Sequence, residues 1–216
     1  MKIGVLGSGM VGQTIGEKLV TLGHEVKLGS RQSGNEKALA WAQKVGAKGS
    51  TGTFAEASAF GELVFNCTLG SASLEALAQA GAANLKGKIL IDVAVPLDFS
   101  KGMPPTLFTG NTDSLGEAAQ RLLPETKVVK SLNTVNCNVM VDAMRVGNGE
   151  HDLFVAGNDA AAKAEVSERL RAWFGWKNVI DLGDITASRA TESYLPMWLR
   201  LYGALKTADF NVRVVR

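Results

Sequence analysis

Three closely spaced glycines near the start of the chain restrict its fold more than any other feature. The apolar run Ile3 to Leu6 predicts a buried strand, which leads directly into Gly7-Ser8-Gly9-Met10-Val11-Gly12. A helical pattern follows at once, with apolar residues on one face at Val11, Ile15, Leu19 and Val20. Strand, glycine turn and helix in this order predict a binding site for a dinucleotide pyrophosphate.

Each glycine of this turn has a separate physical task in such a site. Gly7 permits the tight turn, Gly9 lets the pyrophosphate approach the backbone, and Gly12 lets the helix pack close to the strand. The unpaired N–H groups at the start of the helix then face the phosphates. Ser8, Met10 and Val11 belong to the same turn, so the whole segment is a predicted cofactor-binding element.

Strand and helix patterns alternate through most of the chain. This alternation predicts an α/β fold of the Rossmann type, with a doubly wound, mostly parallel sheet covered by helices on both faces. We expect a dinucleotide-binding domain over residues 1–150. A small C-terminal α/β part, residues 151–216, would complete the substrate pocket and end in a long helix.

The composition excludes several classes of protein. With 216 residues, 46% apolar and 20% charged, the chain is long enough for an ample core. A net charge of +2 argues against a nucleic-acid or membrane-surface partner. Cys67 and Cys137 lie far apart with no metal-ligand spacing, which indicates reduced thiols, no metal site and a cytoplasmic location. The strand begins at residue 2, and no apolar run is long enough to span a membrane, so we expect neither a signal peptide nor an anchor.

The end of the second strand predicts which dinucleotide binds. NAD-specific sites usually carry Asp or Glu there, to bind the ribose hydroxyls. This chain has Gly29-Ser30-Arg31 instead, and Lys37 follows about a turn later. A hydroxyl and a guanidinium can bind a 2′-phosphate that a carboxylate would repel. We therefore expect NADP rather than NAD.

The ends of later strands supply further candidates. Thr68, Leu69 and Gly70 follow a buried strand and would line the path of the cofactor. Cys67 is expected in the core rather than as a nucleophile. The polar residues Asn133, Thr134 and Asn136 fit a turn-capping role and a ligand-binding role equally well.

Other segments predict local structure. Lys48 to Thr53 indicates a glycine-rich link or a short strand, and residues 97–111 a long irregular loop near the substrate. Ser114 and Glu117 predict a capping box at the start of a helix. His151 is expected to be exposed. Ser188 to Ala208 predicts one long final helix, whose broad apolar stripe indicates a homodimer contact.

The chain resembles the NADPH-dependent F420 reductases (F420H2:NADP oxidoreductases), which are related to the reductase domain of the STEAP metalloreductases. The resemblance covers essentially the full length. It rests on the glycine turn and on four further segments: Gly29-Ser30-Arg31, Ser131-Leu132-Asn133-Thr134, Asp152-Leu153-Phe154-Val155-Ala156-Gly157-Asn158-Asp159 and Ala187-Ser188-Arg189-Ala190-Thr191-Glu192-Ser193-Tyr194-Leu195.

The resemblance implies specific binding roles. In this family NADP is held by the glycine turn and by the residues that match Ser30 and Arg31. The deazaflavin F420 sits over the nicotinamide, in a pocket that Val93, Ala94, Val95, Pro96, Asn133, Thr134 and Val135 would line. Family members are commonly homodimers. After the last helix, where the family is typically glycine-rich, this chain reads Lys206-Thr207-Ala208-Asp209-Phe210-Asn211.

The absence of an obvious acid–base set favours hydride transfer. No Ser-x-x-x-Lys pattern, Ser-Tyr-Lys trio or carboxylate cluster occurs at the expected places, and hydride transfer needs orientation more than a side-chain acid. We therefore expect an NADPH-dependent oxidoreductase that acts on F420 or a flavin-like acceptor, with no catalytic side chain. Two alternatives stay open. One is a reductase of a small carbonyl or imine, with Thr134, Asn133 and Asn136 as proton donors; the other is a non-catalytic NADP-binding redox sensor.

Overall fold

The computed structural model describes residues 1–216 and contains ten strands and ten α-helices. The strands are β1 (Lys2–Leu6), β2 (Glu25–Ser30), β3 (Gly49–Thr53), β4 (Leu63–Asn66), β5 (Ile89–Asp92), β6 (Leu97–Asp98), β7 (Thr106–Leu107), β8 (Lys127–Ser131), β9 (Asp152–Ala156) and β10 (Asn178–Asp181). The helices are α1 (Met10–Thr21), α2 (Glu36–Val45), α3 (Phe54–Phe60), α4 (Gly70–Ala80), α5 (Ala82–Leu85), α6 (Leu115–Leu122), α7 (Cys137–Val141), α8 (Ala160–Phe174), α9 (Ser188–Ser193) and α10 (Leu195–Leu205). No helix combines the length and the apolar character that crossing a membrane requires.

Eight of the strands form one sheet in the order β3-β2-β1-β4-β5-β8-β9-β10. The strands from β3 to β8 run parallel, whereas β9 is antiparallel to β8 and parallel to β10. The predicted α/β class and mostly parallel sheet are therefore confirmed. The chain winds outward in both directions from β1 and β4, so a ligand crevice is expected where these two strands end. β9 begins next to the predicted boundary at residue 150, and the division into two domains stays a prediction.

The two faces of the sheet carry separate apolar cores. On one face, 28 buried residues join the sheet to α1, α2, α7 and α8. On the other face, 13 buried residues join it to α3, α4 and α6. Ile3 and Val5 belong to the first core and Leu6 to the second, and all three are fully buried. The short apolar strands follow from this arrangement, because a strand covered on both faces has no polar side.

The edge strand β3 decides between the two alternatives for residues 48–53, a glycine-rich link or a short strand. Residues 49–53 pair with β2 in parallel and do not form an irregular link. Glycine weakens the strand pattern in the sequence, but close packing requires it at Gly49. A side chain at Gly49 would place its Cβ atom 2.1 Å from Cγ2 of Val45, because α2 lies close against this strand.

Residues 97–111 are not wholly irregular, so that expectation was wrong in part. β6 and β7 form a small antiparallel hairpin, and the N–H of Phe108 donates to the carbonyl oxygen of Pro96 at 3.0 Å. Each strand has only two residues, which is too few to produce a readable alternation in the sequence.

The C-terminal region differs from the prediction at two points. The single helix expected over 188–208 is divided at Tyr194 into α9 and α10 and ends at Leu205. Pro196 has no N–H to continue the helical hydrogen bonds, which accounts for the division. His151 was expected to be exposed but is buried. Its Nε2 lies 2.8 Å from the carbonyl oxygen of Ala143, and its Nδ1 lies 2.7 Å from Nδ2 of Asn211 on the C-terminal segment.

A buried lysine connects the strand ends that face the crevice. Nζ of Lys130, on β8, lies 3.0 Å from Oδ2 of Asp92 and 2.8 Å from Oε1 of Glu192, and it also donates to the carbonyl oxygen of Ala94. All three N–H bonds of the ammonium are therefore directed at oxygen atoms. Burial by itself would lower the pKa of Lys130, but the charges of Asp92 and Glu192 outweigh it and raise the pKa, so the group stays charged.

The two carboxylates extend this network to other elements. Glu192 accepts the N–H groups of Leu115 and Gly116 at the start of α6, at 2.9 and 3.0 Å. Oδ1 of Asp92 accepts Nδ2 of Asn66 at 2.7 Å, at the end of β4. A buried charge is tolerated only when it is paired and hydrogen-bonded, which is the case here. The network therefore fixes the ends of β4, β5 and β8 relative to α6 and α9.

We expect Lys130→Met to lower the free energy of unfolding by about 3–5 kcal/mol, because it leaves two buried carboxylates without their cation. Lys127→Met is a matched control on the same strand, since Lys127 is half exposed and pairs with Asp159 at 3.3 Å. It should cost less than about 1 kcal/mol. Denaturant unfolding of both variants checks this, and equal losses would contradict the role assigned to Lys130.

Candidate functional site

The glycine turn has the geometry that its sequence predicts. Gly7 has φ +114°, and a Cβ atom there would lie 2.6 Å from the carbonyl oxygen of Cys67. A Cβ atom on Gly12 would lie 2.0 Å from the carbonyl oxygen of Gly7, so α1 packs directly on the turn. A Cβ atom on Gly9 would meet nothing within 4 Å. Gly7 and Gly12 are thus required by packing, whereas Gly9 borders open space that a ligand can fill.

The start of α1 is arranged to bind an anion. Gly9 occupies the N-cap position with an extended backbone, and no side chain caps the helix. The first N–H groups of α1 therefore have no side-chain acceptor, and the positive end of the helix dipole adds to their field. A pyrophosphate next to Gly9 would satisfy these N–H groups.

A cleft of about 750 Å³ runs from the glycine turn toward the end of β2. Ser30, Arg31 and Lys37 line its far end. Ser30 is buried, and its Oγ donates to the carbonyl oxygen of Gln32 at 2.7 Å. Arg31 and Lys37 are exposed and form no ion pair with any residue of the chain. The cleft thus ends beside two cations that a phosphate could neutralise.

The opposite wall of the cleft comes from β4 and α4. Thr68 lines it, and its Oγ1 donates to Oδ1 of Asn66 at 2.6 Å, next to the buried lysine network. Leu69 lines it with a largely exposed side chain. Sequence reasoning missed the residues that α3, the 32–35 turn and α4 contribute: Phe54, Gln32, Ser33, Gly34, Asn35, Ala72, Glu75, Ala76 and Gln79. Most of them face the cleft only because α3 and α4 pack beside the glycine turn.

Some predicted residues lie beside the site and do not line its cavities. Gly70 begins α4, and a Cβ atom there would lie 1.8 Å from the carbonyl oxygen of Val95. Ala94 and Pro96 are buried, with their carbonyl oxygens bonded to Lys130 and Phe108. Met10 projects into solvent at the start of α1. These residues shape the backbone near the cleft, and their binding roles stay predictions.

Four segments of the chain line a second, smaller pocket of about 190 Å³. It brings together the predicted residues Val11, Val93, Val95, Asn133, Thr134 and Val135. Asn136, Cys137, Met140, Leu195 and Trp198 complete it. Leu195 and Trp198 come from α10, so the last helix forms one wall of the pocket. No side chain that carries a charge at neutral pH lines this pocket.

Several polar groups around this pocket have no partner in the protein. Asn133 and Thr134 are buried, yet Nδ2 of Asn133 and Oγ1 of Thr134 make no hydrogen bond. Such groups cost free energy unless a ligand or water satisfies them. With the open space at Gly9, they are features that an extended ligand could satisfy. Its phosphates would lie at α1, and an uncharged polar ring would enter the small pocket.

The backbone before Asn133 is strained. Leu132 has φ +64°, in the left-handed region that a leucine rarely adopts, and its side chain is buried. This turn directs the chain from β8 toward the pocket, as strained residues at functional sites often do. Asn136 has a different role, because its Oδ1 accepts the N–H groups of Asn138 and Val139 and caps α7. Of the three polar residues, Asn136 therefore has the capping role. Asn133 Nδ2 and Thr134 Oγ1 have no hydrogen-bond partner in the protein and stay candidates for ligand binding.

The ionisable groups near the site do not form an acid–base set. Burial raises the pKa of the Cys67 thiol well above its usual range, and the Asp92 carboxylate adds to this effect, so Cys67 stays protonated. His24 precedes β2, at the end of that strand opposite to the cleft, and burial lowers its pKa. No group of three or more His, Cys, Asp or Glu side chains is arranged to hold a metal ion.

An ion pair attaches α9 to α6 and so helps to place α10. Nε of Arg189 lies 2.8 Å from Oε2 of Glu117, whose carboxylate also accepts Oγ of Ser114. The hydrogen bond from Arg189 lowers the pKa of Glu117. Ser114 caps α6 as predicted, but Glu117 directs its carboxylate to Arg189 and the Ser114 hydroxyl. The capping box is therefore only half formed.

Comparison with known proteins identifies close relatives. Residues 2–96 match the family model described as NADP oxidoreductase coenzyme F420-dependent. An F420-dependent NADP reductase from Methanothermobacter marburgensis is 31% identical over 227 aligned positions, which cover 99% of this chain and 98% of that protein. The metalloreductase STEAP3 of Rattus norvegicus is 30% identical over 91% of this chain but only 38% of its own length.

Solved structures are also similar to this chain. The crystal structure of a presumed F420-dependent NADP reductase from Arthrobacter sp. FB24 is 52% identical, covers 100% of both chains and has a TM-score of 0.95. An imine reductase from Streptomyces aurantiacus is 19% identical over 95% of this chain and 64% of its own, with a TM-score of 0.66. The second similarity concerns the fold alone.

A pair of glycine variants separates binding from packing in the glycine turn. Gly9→Ala should leave the free energy of unfolding unchanged within about 1 kcal/mol, since its methyl group meets only open space, but should weaken dinucleotide binding at least about tenfold. Gly12→Ala should destabilise the protein by about 1–3 kcal/mol through overpacking against Gly7. Thermal unfolding and titration with NADPH measure the two effects. A destabilised Gly9→Ala with normal NADPH affinity would refute the assignment.

Proposed function

The chain belongs to the family of F420-dependent NADP reductases, and on that premise we propose that it transfers a hydride between NADP(H) and coenzyme F420. One observation of the site carries the proposal. A cleft with free cations at one end borders the glycine turn, and a separate pocket, which Val11 of α1 lines, contains unpartnered polar groups and no charged side chain. This sequence of features matches a phosphorylated dinucleotide whose nicotinamide enters the small pocket.

The cleft residues divide the binding of NADP(H) among them. The N–H groups that follow Gly9 would bind the pyrophosphate. Arg31 and Lys37 would bind the 2′-phosphate, because they are the cations without a protein partner at the end of β2, and Ser30 would add a hydroxyl. Thr68 and Leu69 would cover the ribose. Val93, Val95, Asn133, Thr134 and Val135 would surround the nicotinamide end.

The chemistry of the small pocket suits hydride transfer. When bound, NADPH supplies a hydrogen with two electrons, and F420 accepts it. The protein then has to hold two rings in contact and to exclude water. Valines and Met140 provide apolar walls, and Asn133 and Thr134 provide hydrogen bonds that fix orientation. Hydride transfer leaves a negative charge on the acceptor ring, which solvent can protonate once the ring leaves the pocket. No side chain therefore needs to transfer a proton, which agrees with the lack of an acid–base set.

Anaerobic mixing with NADPH and F420 tests this function. The visible absorbance of F420 should bleach over many turnovers, and NADPH should be a much better donor than NADH. Tight NADPH binding without bleaching would exclude F420 and direct the search to flavins and to small imines or carbonyl compounds. Tight binding without turnover on any acceptor would favour a redox sensor.

The same assay tests the NADP site through Arg31→Ala. This variant should weaken NADPH about 10- to 100-fold and leave NADH nearly unchanged, because one charge-assisted contact contributes about 1.5–3 kcal/mol. Arg121→Ala is a matched control, since Arg121 lies on α6 outside the cleft, is exposed and pairs with Asp113. Equal losses with both dinucleotides would contradict the role of Arg31.

We further propose that the enzyme is a cytoplasmic homodimer joined through α10. Met197, Leu201 and Leu205 recur at helical spacing on this helix, and Met197 and Leu205 are more than half exposed. Only Leu195 of α10 is buried. The two free thiols, Cys67 and Cys137, support a reducing compartment.

Leu205→Glu should convert the dimer into a monomer, because it places a charge in an apolar interface. Leu122→Glu is a matched control at a partly exposed leucine of α6. Light scattering coupled to gel filtration measures the mass of each variant. A monomeric wild-type protein at micromolar concentration would refute the dimer.

A further inference from the structure

The wall that α10 gives to the small pocket contains a third unpartnered donor. Nε1 of Trp198 is buried and makes no hydrogen bond, although Trp198 lines the same pocket as Asn133 and Thr134. The indole nitrogen can only donate. Three of the eight buried polar atoms without a partner in this chain thus belong to residues of one small pocket.

The Trp198 ring packs against two other aromatic rings. It stacks on Tyr202 with ring centroids 5.6 Å apart, and on Phe210 with centroids 5.2 Å apart. Phe210 is itself buried. These two contacts restrict the orientation of the indole ring. Its N–H is therefore fixed in direction before any ligand binds, and little entropy is lost on binding.

The C-terminal segment keeps this stack in position. Nδ2 of Asn136 donates to the carbonyl oxygen of Ala208, and Nε of Arg145 lies 2.9 Å from Oδ2 of Asp209. Beyond Phe210, Nδ2 of Asn211 donates to the carbonyl oxygen of Asp152 at 2.9 Å. Hydrogen bonds and an ion pair hold the segment before and after Phe210, and so they keep Phe210 against Trp198.

We propose that Trp198 determines specificity for the hydride acceptor, by donating its indole N–H to a ring carbonyl oxygen of that acceptor. This inference rests on the proposed function and names the chemistry that the pocket selects. A pocket with unpartnered donors and no charged group favours a neutral ring with conjugated carbonyl groups. A small imine has only its nitrogen as an acceptor, and that nitrogen is protonated in the iminium form that accepts a hydride, so the indole N–H would stay unpaired.

The indole N–H signals in an NMR spectrum of ¹⁵N-labelled protein test this directly. The chain has four tryptophans, and Trp198→Phe identifies the Trp198 signal by its loss. The N–H groups of Trp41 and Trp176 already donate to the carbonyl oxygens of Gln13 and Met140, so their signals are internal controls. Oxidised F420, added to the complex with NADP⁺, should move the Trp198 proton signal downfield and leave the two controls nearly unchanged.

Two outcomes of that titration would overturn the proposal. If NADP⁺ alone already moves the Trp198 proton signal by the full amount, Trp198 contacts the dinucleotide and not the acceptor. No shift at saturating F420 would mean that the indole takes no part in acceptor binding. Flavin mononucleotide separates this proposal from the proposed function, because it has the same kind of ring carbonyls. If flavin mononucleotide moves the Trp198 proton signal but F420 is not turned over, F420 is excluded as the acceptor. The role of Trp198 in acceptor binding then still holds. If the protein binds neither compound, both proposals fail.

Affinity measurements on variants provide a second readout. Trp198→Phe keeps an aromatic ring in the stack and removes only the N–H. It should weaken acceptor binding about 5- to 10-fold, as expected for one hydrogen bond, and change NADPH affinity less than about twofold. Trp173→Phe is the matched control, because Trp173 packs edge-on against His24 and does not line the pocket. Equal loss of NADPH and acceptor affinity in Trp198→Phe would indicate a purely structural role and refute specificity.

Discussion

The ammonium group of Lys130 holds together the part of the molecule on which binding depends. It bridges Asp92 and Glu192, which come from a central strand and from the C-terminal helices, and it binds the carbonyl oxygen of Ala94. The parallel strands end here, and without this cation two carboxylates would be buried side by side. The direction of the backbone at Ala94, and with it the floor of the small pocket, follows from this one cluster.

The two halves of the site use different physical means. The cleft offers main-chain N–H groups, open space at Gly9 and two exposed cations, Arg31 and Lys37. Such contacts recognise charge and tolerate small movements. The small pocket depends on side chains fixed by burial, among them Asn133 and Thr134. Its apolar walls and unpartnered polar groups suit a ring that carries hydrogen-bond acceptors, as the proposed hydride transfer between two rings requires.

The C-terminal segment completes the small pocket. β9 and β10 end level with the last residues of β8, because Val155 pairs with both Ser131 and Asp181, so the chain is already beside the end of β8 before α10 begins. The helix then covers the small pocket with Leu195 and Trp198 and leaves Met197 and Leu205 in solvent. One short helix thus lines the pocket with Leu195 and Trp198 and also carries exposed apolar side chains at Met197 and Leu205.

The sequence by itself determined the features that rest on local rules. The glycine turn, the buried strands, the cap at Ser114 and the cationic end of β2 are each encoded within a few neighbouring residues, and periodicity or residue type reveals them. The structure shows what depends on distant partners. The sequence could not show that Lys130 is buried, because its two carboxylates lie 38 and 62 positions away. It could not divide the polar cluster between the cap at Asn136 and the free groups of Asn133 and Thr134. It also could not place Trp198 at the pocket, because only tertiary packing brings α10 and Phe210 to the end of β8.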